Sequence, residues 1–83
     1  MSYKIVFKRS VAWDIKKIDK DLADRILKKI EDELPEKAES FPVLTVKFSG
    51  LRKFQAGDYR VVYFIIEDTA LILRIRHRLD AYR

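Results

Sequence analysis

The chain has 83 residues, enough for one domain, and at this size only about 60–65% of the unfolded chain's surface is removed from water, so the core is small. It has no cysteine and one histidine, which excludes a disulfide framework, a thiolate metal site and a zinc site built by histidine alone. Apolar residues make up 48% with two glycines, which excludes disorder, and a net charge of +5 points to a polyanion or an acidic protein as partner.

Tyr3 to Lys8 alternates Tyr3, Ile5 and Phe7 with Lys4, Val6 and Lys8, the pattern of a short strand. Ser10 is the expected N-cap of a helix reaching about Ile18, with Val11, Ile15 and Ile18 as its apolar stripe. Asp19 or Asp21 starts a second helix whose inner face carries Leu22, Ile26, Leu27, Ile30 and Leu34. Pro35 is expected to end it. Glu36 to Pro42 reads as an irregular link and Val43 to Phe48 as a short strand. Leu51 to Gln55, Asp58 to Ile66 and Ala70 to His77 then form a meander. The fold class is α+β in a single domain, 1–83: an N-terminal strand, a two-helix antiparallel hairpin, then a three-stranded antiparallel meander with the helices on one sheet face. The longest apolar run, Val61 to Ile66, is too short to cross a bilayer, and no apolar leader opens the chain. The expected location is therefore the cytoplasm, with no membrane partner.

Charge is unevenly spread. From Lys47 to Arg83 there are eight Lys or Arg against four Asp or Glu. Strand parity decides which of these cations meet. A three-residue loop at Glu67-Asp68-Thr69 would set Ile66 against Ala70, Phe64 against Ile72, Val62 against Arg74 and Arg60 against Arg76, with Asp58 near enough to Arg78 for a cross-strand ion pair. A two-residue loop at Ala56-Gly57 would set Lys53 against Arg60. One face then packs on the helices, and the other carries Lys53, Arg60, Arg74, Arg76 and Arg78 with Val62, Phe64 and Ile72. Like charges facing one another cost stability, and apolar groups among them imply that a partner covers part of this face.

Several motifs resemble the RelE/ParE superfamily of toxin–antitoxin toxins. They are Lys47-Phe48-Ser49-Gly50-Leu51, Gly57-Asp58-Tyr59-Arg60-Val61-Val62-Tyr63 and His77-Arg78-x-x-x-Tyr82, together with the helix hairpin. The RelE branch cleaves messenger RNA in the ribosomal A site, each toxin held inactive by a cognate antitoxin; the ParE branch poisons DNA gyrase. The RelE resemblance implies a ribosome-dependent endoribonuclease with no cofactor and no metal. Its partners would be the ribosome, mRNA and a small acidic antitoxin. Matched by motif, it implies catalytic roles for Lys53, Arg60, Arg78 and Tyr82. Arg52, Arg74, Arg76 and His77 would assist in RNA binding, and Val62, Phe64, Ile72 and Trp13 would meet the antitoxin.

The alternatives for these residues are ordinary ones. Arg60 would instead form an ion pair with Asp58 or Glu67. Lys53 either takes the 2′-hydroxyl proton or only supplies charge, and Tyr82 stacks on a base, donates a proton or packs as a terminal aromatic. Parity puts His77 beside Tyr59 on the core side, which favours a hydrogen-bonded structural role over direct catalysis. Trp13 points away from its helix's apolar stripe, and either anchors the antitoxin or lies against the sheet edge.

Overall fold

The computed structural model describes residues 2–43 and 50–79. Their order is β1 (Lys4–Phe7), α1 (Arg9–Lys16), α2 (Lys20–Lys37), β2 (Leu51–Ala56), β3 (Tyr59–Ile66) and β4 (Thr69–His77). The four strands form one sheet in the order β1-β4-β3-β2, with β1 parallel to β4 and the other pairs antiparallel. This is the α+β arrangement expected from the sequence. The strand expected at Val43 to Phe48 lies outside the described residues except for Val43, which makes an isolated bridge to Arg52. Among the described residues no helix is long and apolar enough to cross a membrane.

The core lies between the helices and one sheet face. Val11, Ile18, Ala23, Ile26, Ile30, Leu34 and Ala38 pack on Phe54, Ala56, Val61, Tyr63, Ala70, Ile72 and Ile75. Tyr63 is fully buried, and its hydroxyl donates to the Ala38 carbonyl oxygen at 2.5 Å, so this buried polar group is satisfied.

Local expectations are corrected in four places. Ser10 is not the cap: Lys8 holds that position, α1 ends at Lys16, and the Ser10 hydroxyl donates across to the Leu73 carbonyl oxygen at 2.7 Å. Pro35 does not stop α2, which runs on to Lys37. A proline forfeits only its own N–H bond and crowds the preceding turn, a cost borne more easily near a helix end; here the buried Leu34 and Ala38 hold the last turn to the core. The β2–β3 loop is Gly57-Asp58, with Ala56 opposite Tyr59 and Lys53 opposite Val62. Moving the loop by one residue slides the pairing by two, so Lys53 stays on the Arg60 face. Gly57 takes φ +63°, which a glycine adopts without Cβ strain.

The fourth correction concerns β3 and β4. The expected register holds at the far end, where Arg60 faces Arg76 and Val62 faces Arg74. At the hairpin end the loop is two residues, Glu67-Asp68, with Glu67 at φ 55°, so Ile66 faces Thr69 and Tyr63 faces Ile72. An irregularity in β4 between Ile72 and Arg74 absorbs the odd residue, Leu73. Consequently Ile72 belongs to the core, with no exposed surface, and is not available to a partner on the basic face. The bulge lets Ala70, Ile72 and Ile75 all face inward, which uninterrupted alternation forbids.

Candidate functional site

The sheet face turned away from the helices carries Lys53 and Gln55 from β2, Arg60, Val62 and Phe64 from β3, and Arg74 and Arg76 from β4. Arg60 and Arg76 stand directly opposite one another. Residues so paired have Cβ atoms about 4.5–5.5 Å apart, and like charges on directly opposed residues are destabilising in a sheet. Val62 and Phe64 continue the face in the apolar direction. They are half-buried, and the Phe64 ring lies close under Gly50, where a Cβ would fall 2.7 Å from Cε1.

Arg74 belongs to this face by register, but its guanidinium is committed elsewhere. β1 pairs with β4 only as far as Ile72, and beyond that point α1 lies along the vacated edge. There Ser10 binds the Leu73 carbonyl, and the Asp14 carboxylate accepts the Ile75 N–H at 2.9 Å. Arg74 Nε and Nη2 each donate to the same carboxylate at 2.9 Å, a bidentate pair. Asp14 is 6% exposed. Burial pushes its pKa up, but the hydrogen bonds from Arg74 and Ile75 and the charges of Arg74 and Arg76 outweigh it, so the carboxyl lies below its ordinary range. Nothing singled Asp14 out in the sequence. The available signal was an acid in line with Val11 and Ile18, on the helix stripe that faces inward.

The remaining candidates are placed as follows. Arg78 sits just past β4, its Nε 3.4 Å from Asp58 Oδ1 and its N–H donating to the Asp58 carbonyl oxygen at 2.8 Å, the cross-strand pairing expected from parity. Both side chains are largely exposed, so the pair adds little stability and can exchange for another anion. Arg52 lies opposite Tyr63 on the core-side face; its Nη1 donates to the carbonyl oxygens of Phe41 at 2.7 Å and Glu39 at 3.2 Å, clasping the link after α2. His77 lies opposite Tyr59, the two rings edge to face at 5.3 Å, and its Nδ1 accepts the Leu79 N–H at 3.2 Å. Trp13 is 63% exposed on α1, with Lys16 Nζ 5.0 Å from its ring. Tyr82 lies outside the described residues.

A four-stranded sheet of this topology with a helix pair on one face is the fold found in solved RelE and ParE toxin–antitoxin structures. In the RelBE2 toxin–antitoxin complex of Mycobacterium tuberculosis, one chain superposes with a TM-score of 0.85 at 22% identity, over 94% of this chain and all of that one. A chain of the chromosomal ParDE system of P. aeruginosa matches at TM-score 0.76 and 14% identity, covering 92% of this chain and 96% of that one. The archaeal RelE–RelB complex of Pyrococcus horikoshii matches at TM-score 0.72 and 26% identity, over 98% and 100%. No curated protein matches the sequence. The family model for the ParE toxin of the type II toxin–antitoxin system parDE matches residues 5–82. The chain belongs to this family: it is a toxin of a type II toxin–antitoxin system within the RelE/ParE superfamily.

Proposed function

We propose that this toxin is a ribosome-dependent endoribonuclease that cuts mRNA in the A site. The observation that carries the reading is the Arg60–Arg76 opposition on the solvent face of the sheet, with Lys53 alongside. Two arginines at directly opposed strand positions suit a phosphate that bridges them, since arginine forms paired hydrogen bonds to phosphate oxygens and stays charged at any working pH. In the proposed reaction the ribose 2′-oxygen bonds to the adjacent phosphorus and the bond from phosphorus to the 5′-oxygen breaks. The 2′-hydroxyl proton leaves to a base, and the departing oxygen gains one. The products are a 2′,3′-cyclic phosphate and a 5′-hydroxyl end. Arg60 and Arg78 would stabilise charge on the phosphorane, Lys53 would take the proton or add charge, and Tyr82 would stack on a base or protonate the leaving oxygen.

The proposed antitoxin is an acidic, largely helical protein laid over Val62 and Phe64, its carboxylates meeting the arginines; solved toxin–antitoxin complexes among the structural neighbours support such a partner. A second reading, gyrase inhibition by binding alone, is favoured by the match to the ParE family model. Primer extension on a defined message in a purified translation system separates the two. The nuclease reading expects A-site cuts that disappear in Arg60→Ala; wild-type cutting by Arg60→Ala would remove the arginine from the chemistry.

A further inference from the structure

At the junction of α1 and β4, on the opposite side of the β4 edge from Arg60, lies an open cleft of about 170 Å³ lined by Asp14, Lys17, Tyr59, Arg74, Arg76 and His77, with Ile75 at its base. Its volume is below the roughly 300–1,000 Å³ of sites that enclose a whole small molecule. A single phosphate group with its flanking atoms is of the right size.

The lining has a one-sided chemistry. Among the described residues Asp14 is its only acidic one, and that carboxylate is already engaged by Arg74 and the Ile75 N–H. This wall of the cleft is therefore electrically neutral. Among the described residues neither Lys17 nor Arg76 is ion-paired. The Leu79 N–H donating to His77 Nδ1 keeps the neutral ring's proton on Nε2, so that nitrogen is a donor even without protonation. Tyr59 brings a hydroxyl, and its ring is braced edge-on against His77. The cleft thus gathers, among the described residues, several donors and two positive charges, Lys17 and Arg76, that no carboxylate pairs. Arg76 also stands opposite Arg60, so the basic face continues round the β4 edge into the cleft.

We propose that this cleft is a phosphodiester subsite in which Lys17, His77 and Tyr59 hold the phosphate neighbouring the one bridged by Arg60 and Arg76. The inference rests on the RNA reading above and extends it to a second nucleotide step of the strand. Lys17 is the discriminating residue, being exposed on the helix end and outside the proposed chemistry.

The test is an NMR and anisotropy titration of the intact toxin with inorganic phosphate, a single-stranded RNA hexamer, a DNA duplex of equal length and hexaglutamate, alongside A-site cutting by the same preparations. Phosphate and the hexamer should shift the His77 and Tyr59 ring signals. Lys17→Ala should weaken hexamer binding about 3–5-fold and lower the salt slope by about 0.7, as for one lost phosphate contact, and Lys17→Arg should restore both. Equal competition by duplex DNA would keep the phosphate subsite and move its source to DNA. If wild type makes no cuts while hexamer binding still depends on Lys17, the nuclease reading falls and the subsite stands. If wild type cuts and Lys17→Ala binds with unchanged affinity and slope, the subsite is overturned. Ring shifts with hexaglutamate alone would overturn it too, in favour of a carboxylate partner.

Discussion

Replacing Asp14 tests how α1 is fastened to the sheet. The carboxylate is 6% exposed and accepts three hydrogen bonds, each 2.9 Å long. Asp14→Ala leaves the buried Ile75 N–H without its acceptor, which costs about 1–3 kcal/mol. The pair with Arg74 adds less, since that side chain is 43% exposed and water screens it; about 0.5–1 kcal/mol is reasonable. The expected loss is about 2–4 kcal/mol, out of the roughly 4–12 kcal/mol available to a chain of this size. Such a loss lowers the melting temperature by about 8–32 °C at 4–8 °C per kcal/mol. Asp14→Asn keeps an acceptor for Ile75 and should lose about half as much. Urea unfolding followed by circular dichroism reads both. A loss under about 0.5 kcal/mol for Asp14→Ala would refute the view that this carboxylate closes the β4 edge. The pH dependence has a fixed sign. The folded-state pKa is depressed below 3.8, so the contribution is complete above that value and is lost as pH falls through the folded value. The gap between wild type and Asp14→Asn should therefore close only in strong acid.

Burial raises the Tyr63 hydroxyl to about 12, so its contribution is whole below its ordinary 10.0 and vanishes as pH climbs through 12. Tyr63→Phe should cost about 1 kcal/mol at neutral pH and flatten alkaline unfolding in that window, read by denaturant titration at each pH. Gly50→Ala should destabilise more than Gly57→Ala in the same assay. Both sit at positive φ, but a Cβ at Gly50 meets the Phe64 ring at 2.7 Å while one at Gly57 meets nothing within 4 Å. Glu67→Gly should be neutral or stabilising by up to about 1 kcal/mol, because it relieves φ 55° in the β3–β4 turn; a clear destabilisation would show that the turn tolerates glutamate at no cost.

The fold was legible because its signals are local and repeated. The stripes on α1 and α2 mark their buried sides, and the apolar strand around Val61 and Tyr63 marks the sheet centre. Parity placed Arg60 opposite Arg76 and Asp58 beside Arg78, and the structure has both contacts. Parity failed at Ile72 because one extra residue in β4 reverses every face beyond it, and no turn residue announces a bulge. Asp14 escaped notice because its partners, Arg74 and Ile75, lie 60 and 61 residues away, a separation no periodicity reaches. Ser10 looked like a cap by its position, while its hydroxyl serves the sheet instead. Arg52 carried a charge suited to RNA, yet it faces the link after α2.

The central claim is that the basic face acts on message rather than on gyrase. One preparation of toxin, assayed at matched concentrations for A-site cutting in a purified translation system and for inhibition of gyrase supercoiling, tests it most directly. The account predicts ribosome-dependent cuts lost in an Arg60→Ala/Arg76→Ala double variant, with supercoiling untouched. Inhibited supercoiling by folded protein that leaves the message whole would contradict it.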